Sequence, residues 1–141
     1  MKKSVYLISV LILIISGLSI NSAISKNKTQ KNYVKVVYFH GDYRCATCFK
    51  LEKYSYKVLD KYFAKEMKSG KVVWASINVD KDKNEHYVDE FNLYNKSLII
   101  MKYENGKLKE WKNLEKIWEL VGEQSKYLKY VRKEIEKYLK G

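Results

Sequence analysis

The 141-residue chain contains no proline, two cysteines, two histidines and six glycines, and among its 28 basic residues only Arg44 and Arg132 are arginine. Without proline, no loop is fixed by a proline ring and no peptide bond has the usual reason to be cis. With Cys45 and Cys48 as the whole cysteine complement, the chain closes at most one internal disulfide. A four-ligand zinc site would have to recruit His40 and His86, which lie far apart in the chain. The shortage of arginine bears on the formal net charge of +12. Base and phosphate recognition favours arginine and clustered basic faces. Here the lysines are spread over every segment and mixed with 16 acids, the pattern of a solvated surface. The charge therefore implies no nucleic acid, and at most a weak attraction to anionic membrane surfaces. The acidic stretch from Asp80 to Glu85, DKDKNE, lacks the glycine and the final glutamate of an EF-hand calcium loop.

What is present falls into three parts. Lys2-Lys3 and the sixteen-residue, mainly apolar run Val5–Ile20 precede the small-x-small site Ala23-Ile24-Ser25. That run is short for a spanning helix, which needs about 20 residues, and fits a signal-peptide core. Residues 1–25 are expected to be a signal peptide or an uncleaved anchor, with membrane association through residues 4–20 in the second case. Either way the remainder is exported, to the periplasm or the outer face of the cytoplasmic membrane. No cysteine lies near the boundary, which excludes lipid attachment there. Residues 26–32 read as a basic linker, and 33–141 as a single domain with no internal repeat.

Within that domain the hydrophobic period alternates between strand and helix. Tyr33–His40 is too continuously apolar for a half-exposed strand and predicts a central parallel strand covered on both faces. From Cys45 to Lys68 the period is helical, with Cys48, Leu51, Ser55, Val58, Leu59, Tyr62, Phe63 and Met67 on one stripe, closed by Gly70. Lys71–Val79 predicts a strand and Glu85–Phe91 a short helix. Ser97–Tyr103 and Lys107–Trp111 predict strands joined by an Asn105-Gly106 hairpin turn. A final helical region begins near Leu114, with Leu128, Val131, Ile135 and Leu139 on one face. Tyr54, Tyr56, Tyr127, Tyr130, Trp111 and Trp118 are expected to pack in the core and at its rim. The order is β-α-β-α-β-β-α.

The chemistry concentrates in Tyr38–Cys48, YFHGDYRCATC, where the first strand ends and the helix opens with the dithiol. A C-x-x-C pair at such a junction suits thiol–disulfide exchange. Two other uses remain open: a purely stabilising disulfide, or half of a zinc or copper site. A bridge enclosing two residues constrains the unfolded chain little, which counts against a stabilising role. Cys45 at a helix N-terminus would have its thiolate favoured by unpaired N–H groups and the helix dipole. Arg44, and His40 when protonated, would add positive charge. Cys45 is thus the expected nucleophile and Cys48, one turn on and more buried, the resolving thiol that closes the Cys45–Cys48 disulfide. Glu52 reads as a solvated helix glutamate that lies near enough to relay a proton. No metal and no cofactor are expected.

The element order with C-x-x-C at the first strand–helix junction resembles the thioredoxin superfamily over about residues 33–141. The resemblance implies an α/β fold with a central four-stranded mixed sheet and flanking helices, without the extra leading strand and helix of thioredoxin itself. More narrowly, FHGDYRCATC together with Ser97–Ile100, SLII, is similar to a group of small exported thioredoxin-like proteins. Members of that group are often labelled nitrophenyl compound nitroreductase subunits. The resemblance implies cysteine-bearing protein substrates and a membrane-bound thiol–disulfide electron donor or acceptor. The alternative reading of the same two cysteines is a non-catalytic thioredoxin-like subunit or a soft-metal (Cu/Zn) binding protein. Two departures stand out. Asn95-Lys96-Ser97 occupies the place of the thioredoxin cis-proline loop, and Ala46-Thr47 the place of Gly-Pro between the cysteines. Lys96, Ser97 and Thr47 are accordingly expected to tune or dock at the dithiol. The first strand also carries no buried acid where thioredoxins commonly have one.

Overall fold

The computed structural model describes residues 31–140. The expected leader at 1–25, and the linker up to residue 30, lie outside the described residues. The last two linker residues are docked on the hairpin turn: the Lys31 carbonyl accepts from the Gly106 N–H at 2.8 Å, and Asn32 Oδ1 from the Asn105 N–H at 2.8 Å.

Strands β1 (Tyr33–His40), β2 (Val72–Asn78), β3 (Ser97–Glu104) and β4 (Lys107–Asn113) form one sheet in the order β2-β1-β3-β4. The β1–β2 pair is parallel, with Val36 opposite Trp74, and therefore needs a crossover. Helices α1 (Ala46–Tyr62) and α2 (Ala64–Lys68) supply it. The β1–β3 and β3–β4 pairs are antiparallel. At the β3–β4 turn Asn105 and Gly106 have φ of 54° and 77°, the left-handed pair such a tight turn needs. Helix α3 (His86–Glu90) precedes β3, and α4 (Ile117–Leu120) and α5 (Gln124–Lys140) close the chain. This strand order and these directions make the domain thioredoxin-like.

The continuous apolar run of β1 has a direct cause. Alternate residues face opposite sides of a strand, and both sides are covered. Val34, Val36 and Tyr38 pack with Leu51, Val58 and Leu59 of α1 and Tyr127, Val131 and Ile135 of α5. Val37 and Phe39 face the other way, onto Ile99, Met101, Phe91 and Leu93. The strand is central as expected, but parallel on one side only.

Two helical expectations are corrected. The helix read from Cys45 to Lys68 is interrupted at Phe63, where φ is −130° and ψ 21°. This break leaves the Phe63 ring buried in the larger core cluster while its N–H still donates to the Leu59 carbonyl at 2.9 Å. The final helical region is likewise two pieces, α4 and α5. Of the aromatics expected in the core and rim, Tyr127 is buried with Tyr54 edge-on to it at 5.5 Å, whereas Tyr56 and Trp111 are exposed, Trp111 lying edge-on to Phe91 at 5.2 Å.

Candidate functional site

The loop that delivers the dithiol leaves β1 at His40, whose carbonyl accepts from the Val79 N–H at 2.8 Å. At Gly41 a Cβ would stand 2.5 Å from Asp80 Oδ2, too close for any side chain without displacing that carboxylate. The carboxylate is itself held: the Asp42 N–H donates to Asp80 Oδ2 at 2.6 Å, and the Asp80 N–H donates to Asn78 Oδ1 at 3.0 Å. The Asp42 carboxylate accepts from Asn78 Nδ2 at 2.6 Å and lies 2.9 Å from Lys81 Nζ. The Lys81 and Asn78 bonds and the Lys81 charge hold the Asp42 carboxyl below the usual carboxylate range. The loop is thereby clamped to the chain that follows β2.

Cys45 is the N-cap of α1, with extended backbone at φ −86° and ψ 167°. Its Sγ accepts from the Cys48 N–H at 3.2 Å, the bond a capping oxygen usually makes. A helix N-terminus favours negative charge on that atom, and the first turn of α1 contains no acid to oppose it. Cys45 and Cys48 are joined as a disulfide, with Cα atoms 5.1 Å apart. Cys45 is half-buried, whereas Cys48 is only 2 % exposed. From below, the Tyr38 hydroxyl donates to the Cys48 carbonyl at 2.9 Å. Burial, with the Glu52 charge adding and Arg44 opposing, pushes the Tyr38 pKa up to about 12, so Tyr38 stays a neutral donor at ordinary pH.

Arg44 does not lie open beside Cys45. Its guanidinium pairs with the Glu52 carboxylate and stacks against Phe49, 4.3 Å from the ring centre, with Tyr38 at 5.9 Å. This corrects the reading of Glu52 as solvated: its side chain is mostly buried in an ion pair. Burial alone would raise the Glu52 pKa. The Ser76 hydroxyl, the Arg44 hydrogen bond and the Arg44 charge outweigh it and hold the carboxyl below the usual range. The positive charge expected on the nucleophile is thus shared with an acid of the same helix.

The remaining predicted residues divide. His40 contacts the Gly41 carbonyl through Nδ1 at 2.9 Å; a carbonyl only accepts, so Nδ1 carries the proton. Among the described residues no hydrogen bond ties His40 to either cysteine. Ser97 is buried and its hydroxyl donates to the Asn95 carbonyl at 2.9 Å, not towards the sulfurs. Lys96 turns to the dithiol loop, its Nζ 5.8 Å from the centre of the Tyr43 ring. Thr47 is exposed between the cysteines. Among the described residues no cluster of three or more His, Cys, Asp or Glu side chains is placed to hold a metal ion.

No protein-family model matches the chain, and no curated protein matches it. Solved structures do. A thioredoxin from Thermus thermophilus is similar at 16 % identity over 75 % of this chain and 76 % of that one, with a TM-score of 0.44. Thioredoxin O2 from Arabidopsis thaliana in its oxidized state is similar at 14 % identity over 67 % and 74 %, with a TM-score of 0.40. A Schistosoma mansoni thioredoxin pre-protein in its reduced state is similar at 18 % identity over 70 % and 82 %, with a TM-score of 0.41. These likenesses are distant, and it is the strand order and register that define the fold here.

Sequence reasoning missed three participants. Tyr38 reads as one more core aromatic, because nothing local tells that its hydroxyl reaches a carbonyl ten residues on. Asn78 reads as the end of a strand and Asp80 as the start of a charged turn, and only the parallel β1–β2 pairing brings them beside Gly41 and Asp42. The one available signal is the small and polar pair Gly41-Asp42 directly after an apolar strand, which marks a tight exit that something must hold.

Proposed function

We propose that the protein is an exported thiol–disulfide oxidoreductase in which Cys45 attacks and Cys48 resolves. One observation carries the reading: the half-buried Cys45 caps a helix N-terminus with its sulfur, with the buried Cys48 one turn behind it. In the reduced protein the Cys45 thiolate attacks a substrate disulfide, forming a mixed disulfide and expelling one substrate thiolate, which takes up a proton. Cys48, losing its own proton, then attacks the Cys45 sulfur, closing the Cys45–Cys48 bond and releasing the second substrate thiolate. Two electrons pass from dithiol to substrate, and a membrane-bound dithiol donor restores the reduced form. With an oxidising partner the same steps run in reverse.

The site of action in this reading is the periplasm or the outer face of the cytoplasmic membrane, supported by the basic start and sixteen-residue apolar run of the leader. The substrates are cysteine-bearing proteins. The narrower kinship with the exported group labelled nitrophenyl compound nitroreductase subunits rests on FHGDYRCATC and SLII alone. The chemistry proposed here needs no flavin.

Turnover of a protein disulfide by the reduced protein tests the reading. Cys45→Ser should abolish it, and Cys48→Ser should accumulate a mixed disulfide through Cys45. Retained activity in both single variants overturns the assignment. Stoichiometric, tight binding of Zn or Cu(I) by the reduced protein, without turnover, would instead establish the soft-metal alternative.

A further inference from the structure

The lysines are spread along the whole sequence, but the fold does not spread the acids with them. Four segments meet at the amino end of β1: 31–32 before the strand, 68–71 before β2, 104–107 at the β3–β4 turn and 137–140 at the end of α5. The Lys71 carbonyl accepts from the Val34 N–H at 2.9 Å and the Lys31 carbonyl from the Gly106 N–H, and Asn32, Lys71, Asn105 and Leu139 line one groove. These segments carry Lys31, Lys68, Lys71, Lys107, Lys137 and Lys140 against the single acid Glu104. All six lysines are exposed. Among the described residues only Lys137 of the six is ion-paired, with Glu134, and Glu104 is itself taken by Lys102. The C-terminus of α5 adds about half a negative charge, which Lys137 and Lys140 in its last turn outweigh.

The opposite pole is different. Segments 41–45, 79–85, 92–96 and 114–116, which lie at the dithiol end of the sheet, carry five acids, Asp42, Asp80, Asp82, Glu85 and Glu115, and five bases. Of the two poles, only the amino one presents uncompensated charge. The chain also enters the domain there, through Lys31. In sequence, the apolar run Val5–Ile20 lies ten residues upstream, with Lys26 and Lys28 in between. Ten residues span at most roughly 35 Å, so an inserted leader keeps this pole within reach of a bilayer. Lysine ammoniums are point charges that need no fixed partner geometry, which suits a headgroup layer better than one shaped anion. The half-buried Tyr33, Tyr103 and Tyr138 lie among them, rings of the amphipathic kind that a membrane interface accommodates.

We propose that this amino pole, through Lys31, Lys68, Lys71, Lys107 and Lys140, docks on an anionic bilayer surface and turns the dithiol away from it. β1 is 8 residues long and runs from the docked pole to the loop before Cys45. At about 3.3 Å per residue the dithiol stands roughly 25 Å further out. A membrane-bound partner would then have to present its own thiols on a domain that projects from the bilayer.

The test reconstitutes the full chain into phosphatidylcholine vesicles with or without phosphatidylglycerol. Acylation of each lysine is followed by mass spectrometry. Phosphatidylglycerol should slow acylation of Lys68 and Lys140 by about fivefold or more, the effect of one lysine held near such a surface. It should leave the exposed Lys83 and Lys116 of the other pole unchanged, and added salt should erase the difference. Lys71→Glu/Lys107→Glu should release Lys68 and Lys140, whereas Lys83→Glu/Lys116→Glu, the same charge change at the dithiol end, should not. A soluble reductant should open the Cys45–Cys48 disulfide at the same rate in both vesicles. Equal acylation in the two vesicle types, or protection of Lys83 and Lys116 alongside the others, overturns the docking. So does release of Lys140 by both double variants alike. None of these outcomes touches the redox reading, which stands on turnover and the cysteine variants.

Discussion

The two ends of the sheet carry grooves of similar size and opposite character. At the amino end of β1 a groove of about 370 Å³ is lined by Tyr33, Lys71, Lys102, Tyr103 and the last turn of α5, including Tyr138. Tyr33 and Tyr103 stack there at 4.6 Å with planes 4° apart, and Lys102 is paired with Glu104 at 3.0 Å. The helix end that faces this groove is a C-terminus, whose exposed carbonyls disfavour an anion. At the carboxyl end a groove of about 310 Å³ is lined in part by His40, Gly41 and Tyr43, the loop that leads into Cys45, the N-cap of α1. Cavity volume does not mark the amino end, since a pocket of about 450 Å³ lies beside Asp80 and Val88; electrostatics chooses the carboxyl end. A thiolate needs the positive end of a helix, and only the carboxyl end of the parallel β1–β2 pair supplies one, because a crossover helix begins where its strand finishes.

The largest effects should separate the two ends outright. Cys45→Ser should reduce turnover to background, whereas Tyr33→Ala should change it less than about twofold. Losing the Tyr33–Tyr103 stack should lower stability by about 0.5–1.5 kcal/mol. Parallel assays of turnover and thermal unfolding check both. A Tyr33→Ala protein that is well folded but inactive would mean that the amino end takes part in the chemistry.

Gly41→Ala comes next. The added methyl meets Asp80 Oδ2, which cannot swing away without releasing the Asp42 N–H. Overpacking of this kind costs about 1–3 kcal/mol, and the displaced loop leads directly into Cys45, so turnover and melting temperature should fall together. Removing the obstructing carboxylate in Gly41→Ala/Asp80→Ala should recover much of the turnover. If the double variant is worse than the single one, the clamp acts through its hydrogen bonds and not through shape.

How far the sequence foretold this arrangement depends on the range of the interaction. The β3–β4 hairpin was legible because Asn105-Gly106 encodes its own left-handed turn, and β1 because burial on both faces leaves Val36–Phe39 without a polar residue. The capping position of Cys45 was legible too, since helix starts are local. The break at Phe63 was not: the helical period runs through it, and only the packing of its ring against the sheet competes with continuing the helix. Nor was the partner of Arg44. Its charge was read as help for Cys45, yet the side chain bends back to Glu52, eight residues on, held between Tyr38 and Phe49. Charges select partners in three dimensions, and sequence neighbours give no ranking among them.

Two buried tyrosine hydroxyls sharpen the comparison within the core. The Tyr38 hydroxyl supports the Cys48 carbonyl at 2.9 Å, and that of Tyr127 bridges Ser55 at 2.7 Å and the Leu51 carbonyl at 3.1 Å. Replacing either by Phe removes a buried hydrogen bond, a loss of about 0.5–1.5 kcal/mol, while the Leu51 carbonyl keeps the Ser55 hydroxyl as donor at 2.8 Å. The stability losses should be alike. Only Tyr38→Phe should also shift the reduction potential, because only that bond fixes the backbone of a cysteine. Equal shifts in potential from both variants would mean that general loosening, not the bond to Cys48, is responsible.

The smallest effects should be those of acid. Burial works to raise the carboxyl pKa of Glu134, but hydrogen bonds and charge from Lys112 and Lys137, at 2.8 and 2.6 Å, win and hold it below its ordinary value of 4.5. Glu52 is depressed in the same sense by Ser76 and Arg44. A carboxyl with a lower pKa in the folded state stabilises the fold above the unfolded pKa, and that contribution disappears as pH falls through the folded value. Melting temperature should therefore be flat near neutrality and drop progressively below about pH 4.5. Glu134→Gln and Glu52→Gln should each be less stable than the parent at pH 7 and lose less on acidification. The Glu134 contribution is modest because both of its lysines are about half exposed, which screens the pairs. Only Glu52→Gln, which leaves the Arg44 charge unbalanced beside the dithiol, should also move the pH at which Cys45 becomes reactive, and in the downward direction. A thiol-alkylation profile measured against pH on both variants decides this: an unchanged profile for Glu52→Gln would mean that the Arg44 charge does not reach the sulfur.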